Sequence, residues 1–227
     1  MPREPLPLIR SGGFKNAEKL YVLAFEGTVS EKKYFEDFRN SEYFNLSGLI
    51  ETVPLKRKKG DGASDPFSVK KLLKTAKTEY SFKLSDEFWL IIDRDDWQTK
   101  HKIDFEKLVK ECKEEKNFFL AMSNHCFEIW LILHLKDLQD FTKEEQDCIL
   151  ANKKLGNKNY IDKILEDLQG KGYNKRPNTY IFLPFTKNAI ERAKLIDNPQ
   201  DDYPKGIGTH LYKLVEKLID NKWLINN

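Results

Sequence analysis

The chain has 227 residues, 40% of them hydrophobic and 12% aromatic, which suffices for a buried core without disulfide or metal staples. Its 39 basic and 36 acidic residues leave a net charge of only +3, so bulk charge selects no partner. The cysteines, Cys112, Cys126 and Cys148, are odd in number and without CxxC spacing, which excludes a disulfide framework and a zinc ribbon.

Residues 1–16, rich in Pro and Gly, read as an arm without secondary structure. Lys19–Phe25 (KLYVLAF) reads as a strand that ends at Glu26-Gly27. A helix is predicted over Lys32–Arg39, with Ser30 at its N-cap and Tyr34, Phe35 and Phe38 on one face. A second strand falls at 48–55, an exposed loop at 56–66, and a helix at 67–80. Glu87–Ile92 (EFWLII) is almost continuously apolar and ends at Asp93, the pattern of a strand buried on both faces of a parallel sheet. A helix over 105–116 and a strand over 118–122 follow.

The alternation of strand and helix predicts an α/β fold with a mostly parallel sheet flanked by helices. Beyond Asn124 the pattern turns helical: an apolar helix at 127–135, an amphipathic one at 160–168, and a single closing helix over 208–223. The expected organisation is an arm (1–16), an α/β domain (17–135) and a helical C-terminal region (136–227) packed on it.

Residues 56–77 carry Lys56, Arg57, Lys58, Lys59, Lys70, Lys71, Lys74 and Lys77 against Asp61 and Asp65. Such a segment either neutralises phosphates, with Lys56 to Lys59 as nucleic-acid contacts, or is a solvated loop and helix face. The same choice applies to Lys153, Lys154, Lys158, Lys171, Lys175, Arg176 and Lys187, interspersed with Tyr160, Tyr173 and Tyr180.

Ligands of open α/β sheets sit beyond the carboxyl ends of the strands. Two acidic sites fall there: Glu26, with Gly27 permitting close backbone approach, and Asp93-Arg94-Asp95-Asp96. If strand geometry persists through Asp95, Asp93 and Asp95 project to one side and Arg94 to the other. Mg²⁺ or Mn²⁺ is satisfied by one or two carboxylates, waters and substrate phosphates, so Asp93 and Asp95 would suffice, with Glu26 as acid/base or ligand of a second ion. The bland alternative is that these acids merely open turns.

The ordered motifs EGTVSEKKYFEDF, FWLIIDRDD and SNHCFEIWLILHL resemble those of the RloB/AbiLii-like family of Toprim-fold phage-defence proteins, over roughly residues 18–136. The resemblance implies a Toprim-like core in which Glu26 is the acid after the first strand and Asp93 with Asp95 the metal-binding pair. It also implies an ABC- or AAA-type ATPase partner encoded nearby and a role in abortive infection. One departure is His125, at a position where proline is expected in many members. A lost proline cap is the simplest reading, leaving the acidic site untouched.

Other residues carry two readings each. Glu31 either meets the dipole of the first helix or joins the metal site. Glu128, in an otherwise apolar helix, must cap it, pair with a cation or line the cleft. His134 is either a satisfied core histidine or a site residue. No GxSxG elbow, Walker A loop or HExxH motif is present in the sequence, which argues against a serine hydrolase, an intrinsic P-loop ATPase and a zincin.

The function expected is therefore a cytoplasmic, Mg²⁺- or Mn²⁺-dependent nuclease acting on DNA, RNA or tRNA, as monomer or homo-oligomer, with no membrane contact. The alternatives are a non-catalytic subunit that docks on a defence ATPase and a nucleotidyl-transferring Toprim enzyme.

Overall fold

β-Branched and aromatic residues at period two build a sheet that is apolar on both faces. In β1 (Lys19–Phe25), Tyr21, Leu23 and Phe25 bury on one side while Leu20, Val22 and Ala24 bury on the other. β3 (Glu87–Asp93) divides in the same way, Trp89 and Ile91 against Phe88, Leu90 and Ile92. A strand apolar on both faces must be covered by helices on both, and parallel neighbours joined by crossover helices achieve this.

A computed structural model describes residues 19–27, 29–45, 48–53, 65–79, 82–170, 172–173 and 175–225. In chain order the remaining elements are α1 (Ser30–Arg39), β2 (Gly48–Val53), α2 (Pro66–Glu79), α3 (Trp97–Lys100), α4 (Phe105–Glu114), β4 (Phe118–Asn124) and α5 (Glu128–Leu135). α6 (Lys143–Ala151), β5 (Lys154–Leu155), β6 (Lys158–Asn159), α7 (Tyr160–Gln169), α8 (Thr186–Ile196), β7 (Gly208–Thr209), α9 (Leu211–Leu218) and α10 (Asn221–Ile225) follow.

The sheet order is β2-β1-β3-β4-β7, parallel throughout except for the antiparallel edge β7. Helices α2 and α4 cover one face, and α1, α5, α8 and α9 the other. The second layer is the larger: Phe127, Trp130, Ile190, Leu214 and Val215 belong to the same buried cluster as Leu23 and Phe25.

Several expectations need correction. The closing helix predicted over 208–223 is three elements. Gly208 and Thr209 pair with Asn124 and Ser123 as β7, and the helix is broken again at Ile219-Asp220, where Ile219 bridges to Phe44 and the Asp220 N–H donates to the Tyr43 carbonyl at 2.8 Å. Tertiary pairing overrides local helical periodicity at both points. The C-terminal region thus contributes a strand to the sheet as well as helices. Ser30 is also not the N-cap of α1: Val29 occupies that position, and the Ser30 side chain points into the interior.

Basic residues of α2 serve packing. Lys70 pairs with Glu111 of α4 at 2.5 Å, Lys74 pairs with Glu115, and Lys77 lies over the rings of Phe88 and Phe118. Lys56, Arg57, Lys58 and Lys59 lie outside the described residues. Among the described residues no helix is long and apolar enough to cross a membrane.

Candidate metal site at the carboxyl ends of the central strands

β1 and β3 are neighbours in register, with Phe25 opposite Ile91, so the residues that follow them meet. The Glu26 N–H donates to the Ile91 carbonyl at 3.0 Å, and the Asp93 N–H donates back to Glu26 Oε2 at 3.1 Å. The indole N–H of Trp97 donates to Glu26 Oε1 at 2.5 Å. The Glu26 carboxylate is therefore held on both oxygens by donors from β3 and α3.

Asp93 is the last residue of β3. The extended geometry stops there, and the premise of strand alternation through Asp95 fails. Asp95 adopts a left-handed φ of 38°, which an aspartate tolerates better than most residues. The turn nonetheless returns Asp95 to the cluster, where its charge acts on both Glu26 and Asp93. Arg94 points away, donating to the Lys205 carbonyl at 2.8 Å, while Asp96 pairs with Lys100 on the surface.

Gly27 has a steric reason for being glycine. A Cβ there would lie 2.1 Å from Glu31 Oε1, the atom that accepts a hydrogen bond from the Gly27 N–H at 3.1 Å. Glu31, buried in the first turn of α1, thus caps the turn beneath Glu26 and lies within the electrostatic reach of Asp93.

Glu128 opens α5 from below the same cluster and is fully served. It accepts from Ser30 Oγ at 3.2 Å and Tyr173 Oη at 2.9 Å, and it pairs with Lys175 Nζ at 3.0 Å. Lys175, at a φ of 62°, also reaches Asp162 at 2.9 Å, while its carbonyl, 3.0 Å from Ser30 Oγ, shares that hydroxyl's one proton with Glu128. Tyr173 is therefore a buried partner of Glu128, which corrects its placement on an outer basic surface, whereas Lys175, 46% exposed, pairs with Glu128 from the surface. His134 sits deeper along α5. Because a carbonyl can only accept, Nδ1 donates to the Trp130 carbonyl at 2.7 Å, which leaves Nε2 to accept from Tyr34 Oη at 3.1 Å. It is a satisfied core histidine, whose bonds go to Tyr34 and Trp130 and to none of the carboxylates.

The electrostatics divide accordingly. Burial, eased only in part by Trp97 and the Asp93 amide, pushes Glu26 up to about 8. Burial and the charge of Glu128 push Glu31 up to about 7. Asp93 is raised by burial and then by Glu31, Glu26, Asp95 and Glu128. Glu128 is instead lowered, because Lys175 and its hydrogen-bond donors outweigh burial. Among the described residues no donor reaches the side chain of Asp93.

This donor set fits a hard divalent cation. Among the described residues it is mainly carboxylate oxygen, and the ammonium of Lys175 pairs with Glu128. One further buried polar atom, His125 Nδ1, lacks a hydrogen bond among the described residues and lies 2.7 Å from Asp95 Oδ1. His125 thus faces the acidic site, contrary to the expectation that its change from proline leaves that site untouched. No three His, Cys, Asp or Glu side chains among the described residues form a ready group for an ion. Water or substrate oxygens must complete any coordination, as is usual for Mg²⁺.

A mostly parallel sheet covered by helices, with acids gathered at the carboxyl ends of adjacent central strands, defines a Toprim-like α/β protein. The chain belongs to the RloB-like protein family, whose model matches residues 21–218. No curated protein and no solved structure matches it.

Trp97, Tyr173, Lys175 and Ser30 were not predicted as partners of the acids. Trp97 follows the DRDD turn directly, a weak signal at best. Tyr173 and Lys175 reach Glu128 across 45 and 47 positions of sequence, and no local pattern announces them.

Proposed function

We propose that this protein is a metal-dependent nuclease that hydrolyses phosphodiesters of DNA, RNA or tRNA, acting in antiviral defence beside an ATPase partner. The observation that carries this reading is the gathering of Glu26, Asp93 and Asp95 at the ends of two adjacent central strands, where no donor among the described residues reaches the Asp93 side chain. Mg²⁺ or Mn²⁺, when bound, supplies charge stabilisation for the attacking and leaving oxygens. Asp93 and Asp95 are the residues that would hold it. Glu26, oriented by Trp97 and by the Asp93 amide, takes the proton-transfer role or holds a second ion. The sequence has no Walker A loop, so ATP hydrolysis in such a system falls to the partner.

A second reading, a non-catalytic subunit docking on the ATPase, is favoured by the lack of a ready three-ligand group among the described residues. Cleavage of labelled single-stranded DNA, duplex DNA and total tRNA separates the two. The assay uses Mg²⁺ or Mn²⁺, with and without the ATPase, and compares wild type with Glu26→Gln and Asp93→Asn. The nuclease reading expects cleavage that falls by at least about a hundredfold in both variants. No cleavage under any condition, or cleavage indifferent to both substitutions, puts the docking subunit first.

A further inference from the structure

His125 lies between β4 and α5, and its backbone carbonyl accepts from the Asp95 N–H at 3.0 Å. This bond sets the two residues side by side and brings Nδ1 to 2.7 Å from Asp95 Oδ1. The His125 side chain is 12% exposed and that of Asp95 42%, so the pair sits at the border between the interior and solvent. Nδ1 is itself buried and makes no hydrogen bond among the described residues, even with the carboxylate beside it.

With a protonated imidazole this contact is an ion pair, and with a neutral one it sets two metal-ligating atoms side by side, without hydrogen-bond geometry between them. Neighbouring ligands of an octahedral ion with bonds of about 2.1 Å are separated by about 3 Å, close to this spacing. Imidazole nitrogen suits first-row transition ions, whereas Mg²⁺ favours an all-oxygen set. We propose that His125 Nδ1 and Asp95 Oδ1 form a mixed nitrogen and oxygen pair for a divalent transition-metal ion, giving the acidic site a preference for Mn²⁺ over Mg²⁺. The inference rests on the metal-binding reading above and adds to it a ligand and a selectivity.

The test needs no nucleic acid. The full chain is titrated with Mn²⁺ alone and with Mn²⁺ against Mg²⁺, and bound Mn²⁺ is examined by pulsed electron paramagnetic resonance for coupling to an imidazole nitrogen. The wild type is expected to show that coupling and to bind Mn²⁺ at least about tenfold more tightly than Mg²⁺. His125→Ala and His125→Gln are expected to lose the coupling and most of the preference. The wild-type spectrum stands even if a variant fails to fold. Mn²⁺ bound without nitrogen coupling, or a preference that survives in a folded variant, overturns the role of His125 and leaves the acidic site intact. A wild type that binds neither ion at millimolar concentration overturns both.

Discussion

Glu128, buried at the start of α5, and Asp93, half-buried at the end of β3, lie within electrostatic reach of each other, and the fold treats them in opposite ways. Glu128 has two hydroxyl donors and an ammonium, and its pKa is lowered. Asp93 has no donor among the described residues, stands among acids, and its pKa is raised. A buried charge that is fully partnered is explained by the structure it holds together, here the joining of α1, α5 and the segment before α8. A half-buried one that no donor among the described residues reaches weakens the fold and calls for another explanation, which at the end of two central strands is a ligand.

The largest expected effect comes from breaking the partnered side. Lys175→Met leaves Glu128 and Asp162 facing each other without their common cation, and removing one member of a buried pair usually costs about 3–5 kcal/mol. Because the Lys175 side chain is 46% exposed, solvent screening should reduce the cost to about 2 kcal/mol. Urea unfolding at neutral pH measures it. A loss below a few tenths of a kcal/mol would show that Lys175 is a surface cation and remove the contrast.

The sequence revealed one side of this contrast far better than the other. KLYVLAF and EFWLII are continuous apolar runs, so both strands were legible, and an acid at each end followed directly. That the two acids are neighbours depends on β1 and β3 being adjacent, which the order of elements suggests and only the register settles. The partners of Glu128 were illegible because Tyr173 and Lys175 arrive from a segment without periodicity of its own. Asp95 follows a left-handed turn and not the strand alternation expected of it. β7 was missed because two residues of strand carry no pattern against a longer helical one.

A smaller effect per unit of pH comes from the other satisfied polar group of this layer. Burial holds His134 down at about 3, against the ordinary 6.5 of an imidazole, so the unfolded chain takes up a proton that the folded chain refuses. Its contribution to stability is complete above pH 6.5 and is lost as the pH falls through that window, by about 1.4 kcal/mol per unit. Carboxylates elsewhere add their own slopes, so the quantity to read is the difference between wild type and His134→Phe. The variant starts less stable, with Tyr34 and the Trp130 carbonyl unpaired, and loses stability less steeply between pH 6.5 and 4. Parallel curves would mean that His134 is protonated in the folded protein.

Asp93→Asn should have the smallest effect and the opposite sign. In metal-free protein, at a pH high enough to ionise Asp93, it removes one charge from a group of acids that repel it, without breaking any side-chain hydrogen bond among the described residues. Relief of like-charge repulsion should stabilise the fold by about 1 kcal/mol, offset in part by the polar amide that replaces the carboxylate. Mn²⁺ then reverses the order, because an ion at a hundred times its dissociation constant stabilises wild type by about 2.7 kcal/mol and the variant by much less. Thermal unfolding of both proteins with chelator and with Mn²⁺ reads the crossing directly. If Asp93→Asn instead destabilises the metal-free chain as Lys175→Met does, Asp93 is a structural acid like Glu128, and the two halves of this interior differ only in how visible their partners are.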